Sequence, residues 1–192
     1  MKFLKAKWTG IRPLIMHNGL MADPTNPYTR EIKEITNKGS KKLKDSDYQN
    51  RDRLEWEAGV YWDDECGLHV PTDNIERCIQ LGAQKSRIGK DVQAACFVSE
   101  EVVPLNYEGP KDKEKLSKDV RFAIRKGVKV KQARIIRIRP MIPTGWSITF
   151  SVEYDESILN DQDLVKAMQD AGALVGLGDW RPKFGRFTVE LL

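Results

Sequence analysis

Residues 146–191 read WSITFSVEYDESILNDQDLVKAMQDAGALVGLGDWRPKFGRFTVEL, and their periodicity decides the fold class. WSITFSVEY (146–154) alternates apolar and polar side chains, the signature of a half-buried strand. Over 161–175 the spacing predicts an amphipathic helix with Leu164, Val165, Met168 and Val175 on its apolar side. Asn160 or Asp161 is placed to cap it, and Gly176 and Gly178 to end it. FGRFTVEL (184–191) alternates again, as a last strand. Immediately upstream, VKVKQARIIRIR (128–139) reads as one more strand. At period two, one face holds Val128, Val130, Gln132, Arg134, Ile136 and Ile138. The other holds Lys129, Lys131, Ala133, Ile135, Arg137 and Arg139, four of them cationic. This predicts a sheet that buries one face and presents a basic one. The C-terminal half is therefore β-β-α-β.

Working outward, residues 2–16 predict a first strand carrying Phe3, Leu4, Ala6 and Trp8, broken at Gly10 and ended or confined to an edge by Pro13. Residues 17–44 read as loop, with Asn-Gly, Asp-Pro and Asn-Pro turn signals, and 28–36 fits a short helix. Residues 45–58 predict a helix capped by Asp45 or Asp47, and 60–70 a short strand or hairpin. Asp73 with Glu76 three positions on matches a capping box. Behind it Ile75, Cys78, Ile79 and Gly82 share a helical face. VQAACFVSEEVV (92–103) is β-rich, and 109–127 is a charged connection with about one helical turn. This order predicts an α+β fold, an antiparallel sheet with helices on one face and the other face open to ligand, most simply a ferredoxin-like split βαβ arrangement. It predicts one domain over 1–192, with 17–58 inserted as a long basic loop and helix segment.

The 192 residues are 40% hydrophobic and 31% charged, enough apolar material for one core. No run approaches the ~20 apolar residues of a membrane span. MKFLKAKWTG has no signal-like apolar region. The expectation is a cytoplasmic protein with no membrane partner. Cys66, Cys78 and Cys96 are odd in number and lie in no metal-like spacing. With only His17 and His69 beside them, they predict reduced thiols and no metal centre. The net charge of +4 hides segregation: residues 1–44 are net +7, 45–110 net −8, 111–139 net +9 and 140–192 net −4. Such blocks point to a polyanion-binding surface, to self-association through complementary patches, or to an uneven solvated surface.

Three features carry candidate chemistry. GLGDWRPKFGRF (176–187) sets Gly176, Gly178 and Gly185 among Arg181, Lys183 and Arg186. Glycines let a backbone approach a ligand and present N–H groups, and the cations suit phosphate. Trp180 and Phe184 suit base stacking. The same residues also fit a helix C-cap followed by a turn with Trp180 in the core. The strand cations Lys129, Lys131, Arg134, Arg137 and Arg139 suit a nucleic-acid backbone, or a solvated edge guarded by its charges. The insert offers Lys33, Lys38, Lys41, Lys42 and Lys44 as a basic clamp or as disordered chain. Asp63, Asp64 and Glu65 suit either a divalent metal or a solvated turn. No phosphate-binding G-x-x-x-x-G-K-[ST] loop, dinucleotide fingerprint, nucleophile elbow or H-E-x-x-H is present, so no cofactor is implied.

TGIRPLIMHNG (9–19) leads through the insert to YWDDECGLHVPTDNIERCIQLGAQ (61–84). This resembles the RAMP superfamily, the ferredoxin-like, RRM-related RNA-binding proteins of CRISPR effector complexes. His69, Val70, Pro71 and Ile75 fit its turn into a helix, and Gly176, Gly178, Gly185 and Phe187 fit its glycine-rich loop before the last strand. Where the superfamily starts that helix on G-S-S-x-K-G, this chain has TDNIERC (72–78), and no nucleic-acid contact is carried over to that turn. The C-terminal motif also resembles an uncharacterised group of small bacteriophage proteins. The resemblance implies a subunit lining up along single-stranded nucleic acid, with a basic loop as thumb. It also implies that Asp23, after the first strand, is the nearest counterpart of an RNA-cleaving aspartate.

The expectation that follows is a phage-encoded protein of the bacterial cytoplasm, a binder rather than an enzyme. It would take RNA or single-stranded DNA and itself as partners and assemble as a homo-oligomer or filament. Its contacts would be Lys41, Lys42, Lys44, Lys129, Lys131, Arg134, Arg137 and Arg139, with Gly176, Gly178, Trp180, Arg181, Lys183, Phe184, Gly185 and Arg186. The alternatives are a metal-dependent nuclease using Asp23 or the 63–65 acids, and an anti-defence protein that mimics a CRISPR backbone subunit.

Overall fold

Trp8 sits two residues before the end of the first strand, β1 (Lys2–Gly10). It stacks on Phe187 at 4.0 Å and meets Phe150 edge-on at 4.9 Å. Those two rings come from β10 (Phe187–Leu191) and β9 (Ser147–Tyr154), the strands that flank β1. The computed structural model describes residues 1–39, 42–130 and 133–192, and the side chains of all of these except 128–130, 133 and 134. The chain divides into two compact units. One comprises Met1–Ile15, Trp62–Gly109 and Ile142–Leu192, the other Met16–Tyr61 and Pro110–Met141.

In the first unit a four-stranded sheet runs β10-β1-β9-β5, with β5 at Cys96–Val98, and every pairing is antiparallel. With α3 (Thr72–Ala83) and α6 (Asp161–Asp170) the order is β1, α3, β5, β9, α6, β10. That is the split βαβ order expected of a ferredoxin-like fold. Ala6, Trp8, Ile148, Phe150, Val152 and Tyr154 share the helix-covered face and are buried. β2 is the two-residue strand Leu14–Ile15, and a second small sheet runs β3 (Trp62–Asp63), β4 (Gly67–Pro71) and β6 (Val102–Pro104). Ile75, Cys78 and Ile79 of α3 are buried as the spacing predicts, and burial pushes the Cys78 and Cys96 thiols up to about 12.

The second unit holds α1 (Pro27–Asn37) and α2 (Asp45–Gly59), then α5 (Lys113–Lys118) and a hairpin of β7 (Ala123–Val130) and β8 (Ala133–Ile142). Pro27 opens α1, where a missing N–H costs nothing, and Asn26 caps it by accepting from the Tyr28 N–H at 3.0 Å. Trp56 of α2 is buried and donates its indole N–H to the Phe122 carbonyl at 2.8 Å.

Several expectations change. The stretch 128–139 is not one strand. β7 ends at Val130 and β8 starts at Ala133, because the same alternation serves two antiparallel strands in register, Lys129 opposite Arg134. Its expected buried face fails too, since Ile136 is 47% exposed. Residues 89–95 form a helix, α4 (Gly89–Ala95), ahead of β5, so the β-rich run is shorter than its composition suggests. The helix expected over 161–175 is α-helical only to Asp170 and widens into a π turn over Ala171–Val175. Asp73 does not cap α3. Its N-cap is Pro71, and Glu76 instead accepts from the Val98 N–H at 2.8 Å, tying the helix to β5. Asn160 caps α6 as expected, accepting from the Asp163 N–H at 2.9 Å. Among the described residues no helix is long and apolar enough to cross a membrane.

Candidate nucleic-acid interface

The glycine-rich loop between the π turn and β10 is folded against its own backbone and against the chain that follows β1. Gly178 has φ +80°, and a Cβ there would strike the Ile15 carbonyl. Gly185 has φ +72°, and a Cβ there would strike the Leu177 carbonyl. Only glycine meets both demands, a left-handed backbone and no side chain. The Gly176 N–H donates to the Ala171 carbonyl and the Gly185 N–H to the Pro13 carbonyl, each at 2.8 Å. Those two N–H groups are therefore committed inside the protein, and the glycines shape the loop. The Asp179 N–H reaches the Ile15 carbonyl at 2.8 Å, and the Ile11 and Arg12 N–H groups reach the Arg186 carbonyl at 2.8 and 3.2 Å.

This stitching brings Arg12 and Pro13 against Pro182, Lys183, Phe184 and Arg186, around a groove of ≈ 340 Å³. Arg12 is fixed from below, since its carbonyl accepts from the indole of the buried Trp146 at 2.9 Å. Among the described residues no carboxylate pairs with Arg12, Lys183 or Arg186. The buried Arg186 Nε has no hydrogen-bond partner among the described residues. Trp180 and Phe184 lie with ring centroids 6.1 Å apart and planes tilted by 56°. Trp180 is half-buried with φ +53°, and Arg181 beside it is exposed. The site is a shallow cationic groove beside two aromatic rings, a geometry suited to phosphate and a stacked base.

The other predicted cations lie in the second unit and behave differently. Arg137 is hydrogen-bonded to Glu55, whose carboxylate is 1% exposed and also accepts from the Ile138 N–H at 3.2 Å. Arg125 pairs with the buried Asp52 at 2.6 Å, and Arg51 joins it at 3.1 Å. Arg139 donates to the Ile138 carbonyl at 3.1 Å. Lys42 and Lys44 are exposed, and the Lys44 N–H donates to Asp47 at 3.0 Å at the start of α2. Lys41 and Lys131 lie outside the described residues, as do the side chains of Lys129 and Arg134.

Asp23 accepts from the Thr25 N–H and hydroxyl, both at 2.8 Å, and these bonds hold its carboxyl below the usual range. Asp63 is held low in the same way by the Cys66 and Glu65 N–H groups of the β3–β4 turn. Among the described residues no three His, Cys, Asp or Glu side chains converge to hold a metal. Sequence reasoning did not single out Arg12, which lies within TGIRPLIMHNG (9–19) and whose backbone N–H reaches the Arg186 carbonyl. It also did not find Asp52 and Glu55, although their spacing of three on α2 places them on one face.

No family model and no curated protein matches this chain. Among solved structures, a chain in the cryo-EM structure of the Type III-B Cmr-beta complex bound to cognate target RNA is similar in fold. The TM-score is 0.50 at 10% identity, over 100% of this chain and 59% of that one. The protein thus spans little more than half the length of its structural neighbour, and what the two share is the α+β fold.

Proposed function

We propose that the protein binds single-stranded nucleic acid, RNA above all, through the groove of Arg12, Lys183 and Arg186, with Trp180 and Phe184 stacking on bases. The observation that carries this is the groove itself: three cations with no carboxylate partner among the described residues, beside two rings. The structural neighbour adds support, since its complex is bound to target RNA. In this reading the protein is phage-encoded, acts in the bacterial cytoplasm and assembles on the strand as a repeated backbone subunit. Three phosphate contacts on a single strand give a slope of about −2 in log affinity against log salt.

Fluorescence anisotropy with labelled oligo(U) and oligo(dT) over a salt series tests the binding. A flat salt response, or no binding at low salt, overturns it. Negative-stain images with and without the oligonucleotide test the assembly, which is refuted if particles stay single on a saturated long strand.

A further inference from the structure

The face of the four-stranded sheet opposite α3 and α6 carries side chains that the groove does not use. Residues directly paired across antiparallel strands share a face. Phe3 on β1 pairs with Glu153 on β9, and Glu153 pairs with Phe97 on β5. The three form one row across three strands, on the face away from the buried Trp8 and Phe150. Phe3 is 68% exposed and Phe97 47%, unusual values for phenylalanine on a sheet. Glu153 between them is half-buried and forms no ion pair among the described residues. Lys5, the next residue of β1 on this face, is exposed.

Strands lie ~4.8 Å apart, so the two phenylalanine backbones stand about 10 Å apart with the carboxylate midway. A flat ring held between two others needs two van der Waals gaps, about 7 Å in all. Two phenylalanines that lean together meet that requirement over Glu153. We infer that this row is a base clamp for guanine, its ring between Phe3 and Phe97 and its N1–H and N2–H donating to the two carboxylate oxygens of Glu153. Guanine presents two adjacent donors on that edge. Uracil presents one donor between two acceptors, which a carboxylate repels, and adenine and cytosine each set an acceptor beside their amino group. Lys5 is placed for the phosphate.

The ligand class rests on the nucleic-acid reading above, but the clamp and the groove are separate surfaces and are tested separately. The probes are guanosine and uridine monophosphate, titrated calorimetrically into the full chain. The expected result is binding of the guanine nucleotide, with the uracil nucleotide at least about tenfold weaker, and a weakening of about tenfold in Phe3→Ala and in Phe97→Ala. Glu153→Gln abolishes the preference, because an amide replaces one acceptor by a donor. All three side chains reach solvent, so these variants fold, which circular dichroism verifies. Equal binding of the two nucleotides, no binding of either, or a preference that survives Glu153→Gln overturns the clamp. A triple Ala variant at Arg12, Lys183 and Arg186 keeps the guanine preference. If oligo(U) fails to bind while the guanine nucleotide binds, the groove falls and the clamp stands. The reverse pattern overturns the clamp alone.

Discussion

Arg137 and Arg186 are both arginines in basic stretches of sequence, and the protein treats them in opposite ways. Arg137 meets a buried carboxylate from α2, so its charge fastens β8 to a helix. Arg186 lines an open groove, its Nε without a hydrogen-bond partner among the described residues. The stretch 111–139, net +9, is the more basic of the two in sequence. Yet its arginines at 125 and 137 are neutralised by Asp52 and Glu55. Local charge density is thus a poor guide to which cations stay without a carboxylate partner. The presence of a buried carboxylate within reach decides it.

The sharpest way to break this comparison is Glu55→Ala. It leaves a guanidinium half-buried without its partner and the Ile138 N–H unsatisfied, at a cost of about 3–5 kcal/mol. Urea denaturation should show that loss, whereas Glu55→Met with Arg137→Met should recover the part due to the unpaired guanidinium, the Ile138 N–H staying unsatisfied. A double variant as unstable as the single one would refute the pairing.

Alkali provides the next largest effect. Burial raises the Cys78 and Cys96 thiols from 9.0, and the Tyr154 phenol from 10.0, to about 12. The folded state therefore favours their protonated forms. Their contribution is complete below the ordinary values and is lost as the pH climbs through 9 and 10 toward about 12. Binding and near-ultraviolet dichroism should therefore fade together with rising pH. Loss of the fold signal well below pH 9 would contradict this assignment.

Smaller in stability but decisive for function, the triple Ala variant at Arg12, Lys183 and Arg186 should flatten the salt slope by about 2. Its urea midpoint should barely move. By contrast Arg137→Ala should cost stability and leave the slope alone, and a reversal of these two outcomes would invert the comparison. Last, Trp180→Ala should weaken oligo(U) binding by about 1–3 kcal/mol, the worth of one stacked base, with an unchanged salt slope.

The sheet was legible wherever one face is buried and the other wet. Trp8, Ile148 and Phe150 alternate cleanly because α3 and α6 cover only one side. The hairpin was not, because period two has no direction: the alternation through 128–139 is the same whether the chain runs on or folds back. Of the site, Lys183, Phe184 and Arg186 were visible in a compact motif. The glycines were visible as well, though their N–H groups at 176 and 185 are taken by the Ala171 and Pro13 carbonyls. Arg12 was invisible because its place depends on backbone bonds spanning most of the chain. Asp52 and Glu55 looked like ordinary polar residues of a charged helix, and only tertiary burial gives them their role.

The pairing of β1 with β10 sets Gly10 opposite Phe187. A ribosome must therefore release the chain as far as Phe187 before Trp8 acquires its stacking partner. Until then one edge of β1 stays unpaired and its apolar face is only partly covered. Contacts this distant in sequence slow folding. The nascent chain is correspondingly open to misassociation, and to chaperones that recognise exposed strands, until the last strand closes the sheet.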